Sequence, residues 1–321
     1  MRVVGPVVAL CAAVVLGPGL AAPTLAQTTP PPTFSLSADA PAAARGSVEL
    51  SPTTGALVRG LPIEVPPFHG IEPRLALSYS SLSGNGFVGV GWALAGFSVI
   101  ERTRNGRGTP RFTSTDVYVL DGQELLPCAQ ASTSPGCLAG GTHATKQESY
   151  ARIALDSATS TWTIWSRNGV RTELTPVFQV SGNTWRWGQS RVIDTHGNTV
   201  IYAWECVGGS GGDCYPKSVT YGPFAVTLYR DAQQRPDVLS FATGGLSGLG
   251  KTRYRLGSVA VTRAGAVVRA YGLTYATSET TSRSLLQQVQ AFGTDASVSQ
   301  DGVVTGTLWV PPQAFSYQGG E

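Results

Sequence analysis

LPIEVPPFHGIEPRLALSYSSLSGNGFVGVGWALAGFSVIERTR, residues 61–104, decides the fold class. Pro62, Pro66 and Pro67 fix φ and remove backbone donors, so the opening is extended chain and not the interior of a helix. Leu75, Leu77 and Tyr79 then alternate with Ala76 and Ser78, which gives a strand one apolar face. Gly84-Asn85-Gly86 tolerates positive φ and reverses the chain. Gly89, Gly91 and Trp92 keep the backbone bare beside a large aromatic, and a second apolar run covers Phe97 to Ile100. No nucleophile, base or metal-ligand set stands in the stretch. It is architectural sequence.

The same rhythm continues outward. DVYVL and QELL flank Asp121-Gly122, a two-residue hairpin signal. Tyr150–Leu155 and Thr161–Ser166 read as strands, and Asn168-Gly169 turns the chain into Val170–Leu174. Trp185 and Trp187 share one face of the next strand. Arg191 to Asp194 leads to a turn at His196-Gly197-Asn198, and Val200, Tyr202 and Trp204 alternate on the return. Strands follow at Lys217–Tyr221, Ala225–Arg230, Val238–Ala242 and Arg253–Arg263, with a Gly265 turn before Arg269–Tyr275. Ser284 to Gln290 fits a helix and a strand equally well.

Several of these segments, taken in order, resemble the SpvB-like amino-terminal domain. They are PIEVPP (62–67), LSYSSLSGNG (77–86), VGVGWALAGFSVIERTR (88–104), YVLDGQELLP (118–127), DTHGNTVIYAWE (194–205), RPD (235–237), AYGLTYATSETTSRSLLQQVQAFG (270–293) and PPQAFSY (311–317). That domain opens the B component of Tc insecticidal toxins and many Rhs-type toxin proteins, and it precedes the catalytic domain of the SpvB effector. The strand–DxxGN–strand unit at 194–198 is also similar to the YD-type hairpins of Rhs proteins. The resemblance implies a mostly β fold of antiparallel hairpins in large twisted sheets, a segment of an Rhs/TcB-type β-shell, over residues 34–317. It further implies a non-catalytic structural module of a secreted toxin. Its partners would be the β-propeller and Rhs-repeat regions of a longer toxin or partner chain, and the toxin cargo they enclose. In relatives PPQAFSY stands at the boundary before the propeller, so residues 318–321 read as a tail, and the chain as either the first domain of something longer or a homologue truncated before the propeller. A domain of this size would form a wall segment at most, because enclosing a chain requires closing the sheet on itself or against others.

Composition agrees with a β domain. The chain has 321 residues, of which only 13% are charged, with Gly 39 and Pro 21, a mixture suited to short strands and tight turns. Net charge is +3, with arginines scattered along the sequence and no basic stripe for nucleic acid. Residues 1–26 have the form of an export signal: Arg2, an apolar run from Val3 to Leu16, and small residues before Gln27. Gly5 and Pro6 break that run, which argues against a permanent membrane span. A Pro/Thr linker follows at 27–33. Exported protein then carries Cys128, Cys137, Cys206 and Cys214, each pair separated by turn-forming residues. In an oxidising compartment this favours Cys128–Cys137 and Cys206–Cys214 bonds, although four cysteines permit three connectivities. The loop between Cys128 and Cys137 is expected to project from the sheet.

Motifs that suggest chemistry fail on their surroundings. GLSGLGKT (245–252) satisfies the P-loop pattern, but RYRLGSVAVTR follows where a helix is required, so Lys251 reads as a loop residue and no nucleotide cofactor is expected. GGSGG around Ser210 has the letters of a nucleophile elbow, yet His69, His143 and His196 all precede it. None of the three histidines has a partner at metal-ligand spacing. The effector's ADP-ribosyltransferase activity lies in a separate carboxy-terminal domain with an ExE motif, which this chain lacks. The competing reading is a secreted carbohydrate-binding module or glycan-active enzyme, using some of Trp162, Trp165, Trp185, Trp187 and Trp204 to stack on sugars. Trp162 and Trp165 fall on opposite faces of one strand and cannot share a platform. That reading requires an aromatic-lined cleft that gathers two carboxylates.

Overall fold

Six short strands make the amino-terminal part: β1 (Val48–Leu50), β2 (Leu57–Pro62), β3 (Ala76–Ser80), β4 (Asn85–Gly86), β5 (Gly89–Val90) and β6 (Trp92–Ala95). The computed structural model describes residues 48–52, 54–106, 108–208, 213–241 and 250–317. The export signal, the linker, the tail and most of the P-loop and elbow motifs lie outside these residues. Strands β1-β2-β3-β6 form one antiparallel sheet, and the Gly84-Asn85-Gly86 reversal leads into the small β4–β5 hairpin.

The next eight strands form a meander. They are β7 (Val99–Arg104), β8 (Asp116–Leu120), β9 (Gln123–Pro127), β10 (His143–Thr145), β11 (Arg152–Asp156), β12 (Thr161–Trp165), β13 (Arg171–Val180) and β14 (Asn183–Ile193). Each pairs antiparallel with the next, and β14 pairs back onto β7 through Arg186↔Glu101, Trp187↔Ile100 and Gly188↔Val99. The sheet therefore closes on itself as an eight-stranded barrel. The ring lies within the expected architecture of antiparallel hairpins in large sheets, and its closure is a feature that the hairpin signals alone do not predict. An eight-stranded barrel has room for its own side chains or for one small ligand. Ile100, Tyr118, Leu125, Ile153, Trp162, Leu174 and Trp187 pack together in its core, with the His143 ring against Tyr118 and Trp162. The tight ends follow from local chemistry: Asp121 and Gly122 both have positive φ, 46° and 88°, as a two-residue hairpin demands.

The loop stapled by the Cys128–Cys137 disulfide does not project, as the sequence suggested. Its single helical turn, α1 (Pro135–Leu138), lies against both β10 and β11. Gly136 makes this possible, since a Cβ there would stand 2.3 Å from the Ala151 carbonyl oxygen.

The remaining strands are β15 (Thr199–Val207), β16 (Asp213–Tyr221), β17 (Phe224–Arg230), β18 (Leu239–Phe241), β19 (Gly250–Thr252), β20 (Leu256–Arg263), β21 (Ala266–Thr277), β22 (Ser284–Phe292), β23 (Ser297–Val298), β24 (Val304–Thr305) and β25 (Gln313–Ala314). They extend the sheet from β14 in the order β15-β16-β17-β20-β21-β22-β25, while β18–β19 and β23–β24 are small hairpins. Ser284–Gln290 is thus strand, not helix. Its pairing along β21 decides between the two; Ser284 and Leu286 are buried two residues apart, and Val289 follows beyond the register shift at Thr274/Tyr275. The four-stranded sheet packs on this extension as a sandwich. Leu61, Leu77 and Trp92 from one side meet Val200, Val219, Val226 and Val259 from the other in the main core. Among the described residues no helix is long and apolar enough to cross a membrane.

Strand β14 belongs to both bodies. Its first half pairs with β7 in the barrel, and its last residues, Arg191 to Ile193, pair with β15 in the sandwich. At the crossing, the Trp204 indole lies where a Gly188 Cβ would be, 2.4 Å away, and its Nε1 donates to the Gln189 carbonyl at 2.9 Å. The Gln189 side chain accepts from the Ser98 N–H at 2.9 Å, and Phe97 packs edge-on against Tyr202 and Trp204.

Candidate functional site

The quoted motifs converge in space. Arg235, from RPD, is buried with its side chain 0% exposed, and the Asp237 side chain is 10% exposed. A buried guanidinium must find acceptors for its fork of donors. Nε and Nη2 donate to the two Asp237 oxygens at 2.8 and 3.0 Å, Nη1 to the Gly86 carbonyl at 2.6 Å, and Nη2 also to Asn85 Oδ1 at 2.6 Å. Asp237 accepts three further bonds: from Asn85 Nδ2 at 2.7 Å, the Ser284 N–H at 2.7 Å and Ser284 Oγ at 2.5 Å. One carboxylate thus ties the GNG reversal, the RPD turn and the start of β22. Pro236 sets the turn that lets Arg235 and Asp237 face each other across two residues.

Burial alone would raise the Asp237 carboxyl. The Arg235, Ser284 and Asn85 hydrogen bonds outweigh it and hold the group well below the usual carboxylate range. A carboxylate with five donors and so low an affinity for protons is a poor general base. Its work is to hold backbone in place. Ser284 carries the network on, because its Oγ lies 3.3 Å from Arg255 Nη1, and Arg255 pairs with Asp231 at 2.8 Å. Gly89 lets β5 reach this point: its φ is +92°, and a Cβ would stand 2.7 Å from the Ser284 carbonyl oxygen.

A second buried group sits under β16 and β19. Asp213 accepts from Tyr215 Oη at 2.8 Å and from the backbone N–H and Nε of Arg253 at 3.0 and 2.9 Å. Burial, and then the Asp213 carboxylate, push the Tyr215 phenol upward. The carboxy-terminal motif forms the third. Gln313 and Ala314 pair with Val289 and Gln288, the Phe315 ring lies 4.8 Å from that of Trp92, and Tyr317 Oη accepts from Trp92 Nε1 at 2.9 Å while donating to the Leu286 carbonyl at 2.6 Å. Arg59 donates to Gln313 Oε1 at 3.0 Å. PPQAFSY is therefore an integral part of the sandwich, and Trp92 is the residue it grips.

The residues singled out from sequence distribute as follows. Cys128–Cys137 and Cys206–Cys214 are bonded, the second pair directly opposite each other on β15 and β16. Lys251 lies exposed on the short strand β19; residues 245–249 of its motif are outside the described region. His69 is an exposed loop residue at φ 52°, and His196 is a turn residue beside Asp194, whose Oδ1 accepts from the His196 and Asn198 N–H groups. Trp162, Trp185 and Trp187 are buried. Trp165 faces outward, but the Arg152 guanidinium covers its ring at 3.5 Å, so that face is not open to a sugar. A cavity of about 400 Å3 on the outer face of the first sheet is lined by Arg59, Tyr79, Ser78, Ser80 and Ser83, with small residues and no carboxylate. The buried Arg235 network was not recognised from sequence as a site. Its one signal was an arginine and an aspartate flanking a proline in an otherwise weakly charged chain.

Residues 51–217, slightly more than half of the chain, match the family described as Salmonella virulence plasmid 65kDa B protein, SpvB. The chain is similar to the mono(ADP-ribosyl)transferase SpvB of Salmonella typhimurium, 36% identical over 85 residues that make up 25% of this chain and 14% of that protein. It therefore spans only a small part of the curated relatives' length. Among solved structures it is similar to TcdB2-TccC3, with a TM-score of 0.62 at 18% identity, covering 86% of this chain and 17% of that one. It is also similar to the amino-terminal domain of effector protein SpvB from Salmonella typhimurium strain LT2. There the TM-score is 0.57 at 17% identity, covering 73% of this chain and 98% of the other.

Proposed function

The chain belongs to the SpvB family, and from that membership we propose that it is a non-catalytic structural module of a secreted Tc/Rhs-type toxin. In this reading its sheets form part of the wall of a β-shell that sequesters or delivers a toxic carboxy-terminal polypeptide. Its partners are the β-propeller and Rhs-repeat regions of a longer or separate chain. It acts outside the cytosol, a setting that suits two disulfides.

The observation that carries the reading is the use of the motif residues. Asn85, Arg235, Asp237, Ser284, Trp92 and Tyr317 are satisfied by one another and by backbone, and together they join four distant segments of one sandwich. The likeness of fold to the amino-terminal domain of SpvB supports a part separate from the transferase chemistry named for the whole relative.

The test measures mass in solution for the exported chain with and without a propeller–Rhs partner, beside screens for glycosidase, esterase and ADP-ribosyl transfer activity. Association with the partner and no turnover is the expected result. A monomer that ignores the partner and turns over a substrate would overturn the proposal in favour of a glycan-active or other enzyme.

A further inference from the structure

The barrel is not equally strong all round. The other neighbouring strands of the ring share three or more register pairs, as in the five between β11 and β12, but β10 and β11 share one, His143↔Ile153. Two more bonds help at that level, from the Thr142 N–H to the Ile153 carbonyl at 2.8 Å and from the Leu155 N–H to Thr142 Oγ1 at 2.8 Å. Toward Thr145 and Ala151 the ladder stops, and the α1 turn lies against both strands there, with Gly136 set on the Ala151 carbonyl. Cys137 lies within that turn, and its bond to Cys128 ties the turn to the end of β9. Both cysteines are half-buried, and their neighbours Ala129, Gln130 and Leu138 are exposed, so the bond lies close to the surface. Behind the seam stand the His143 ring, 4.9 Å from that of Trp162, and the Trp162 Nε1, which is buried without an acceptor.

The other disulfide has no such position. Cys206 and Cys214 face each other within eight register pairs between β15 and β16, which hold those strands whether or not the sulfurs are joined.

We propose that Cys128–Cys137 is a redox latch on the barrel: reduction frees the α1 turn, the β10–β11 seam opens, and the aromatic interior is exposed. The reductant is a dithiol. One of its thiolates attacks a cystine sulfur and forms a mixed disulfide, and its second thiol then displaces the protein sulfur. The dithiol leaves as its own disulfide, and Cys128 and Cys137 each gain one electron and one proton. An oxidising exterior keeps the latch shut, and a reducing interior opens it.

Amide hydrogen exchange on the full chain, read by mass spectrometry, tests this. In the Cys128→Ser/Cys137→Ser variant without reductant, segments 143–145 and 152–156 should exchange faster by about tenfold or more, as a local opening requires. Segments 256–263 and 284–292 of the sandwich should keep wild-type protection, and the Cys206→Ser/Cys214→Ser variant should leave 143–145 slow. Wild-type protein titrated with dithiothreitol gives the second measurement, which does not depend on either variant folding. Its 143–145 exchange should accelerate in step with the labelling of Cys128 and Cys137. Unchanged protection of the seam once those thiols are free would overturn the proposal, and so would a loss spread evenly over barrel and sandwich.

Discussion

Replacing Arg235 by alanine is the most informative single perturbation. The guanidinium makes four hydrogen bonds from a side chain with no exposure. Its removal leaves the Gly86 carbonyl and Asn85 Oδ1 short of a donor, and it leaves the Asp237 charge buried with only Asn85 and Ser284 to hold it. Breaking one side of a buried ion pair costs about 3–5 kcal/mol. For a domain of this size that lowers the melting temperature by roughly 10 °C. Urea and thermal denaturation measure both quantities. The pH dependence should change as well. In wild type the Asp237 affinity for protons is depressed on folding, so its contribution is present above about pH 3.9 and is lost only as pH falls toward the folded value. Without Arg235 the folded carboxyl rises toward its unfolded value, so the loss of stability on acidification below about pH 3.9 should become smaller. The double variant Arg235→Met/Asp237→Leu removes both charges and should recover much of the loss. If the single variant costs less than about 1 kcal/mol, or the two changes simply add, the network is not the clasp described.

Three further outcomes are expected. Burial lowers the His143 imidazole to about 4, so the folded barrel favours the neutral ring and stability should fall as pH drops from about 6.5 to 4. The full shift sets an upper bound near 3 kcal/mol, discounted to about 1–2 because His143 is only half-buried, and His143→Leu should flatten that part of a pH–stability curve. Tyr317→Phe removes the hydroxyl that links Trp92 to the Leu286 carbonyl and should cost about 1–3 kcal/mol in denaturant titrations. Gly188→Ala drives a methyl into the Trp204 indole and should cost about 1–3 kcal/mol, with the indole emission shifted toward that of exposed tryptophan.

Local chemistry was legible in the sequence wherever two strands meet through a short turn. Asp121-Gly122, Asn168-Gly169, the Asp194–Asn198 turn and Gly265 each reverse the chain as read, because φ preference acts within a few residues. Closure of the barrel was not legible. It depends on Ile100 meeting Trp187 across a long stretch of chain, and no periodicity reports which strand a given edge will find. Ser284–Gln290 stayed ambiguous for a similar reason, since apolar spacing in SLLQQVQ suits both periods until β21 supplies the ladder. Both disulfides were readable because close spacing and turn residues limit the pairing. The Arg235 clasp was not, because Asn85, Arg235 and Ser284 are far apart in the chain and each looks like an ordinary turn or strand-end residue.

The crossing strand β14 has a mechanical consequence. The chain leaves the sandwich after Ala95, builds the whole barrel, and re-enters along β14 into β15, so the barrel is an insertion between two sandwich strands. Tension applied through the two ends of the domain is then borne by the sandwich. It pulls on β1, held by three register pairs, and on β25, held by two, while the closed ring lies off the line of force. A domain pulled in this way is expected to yield first by peeling its terminal strands, with the barrel following as a separate, later step in a single-molecule extension trace.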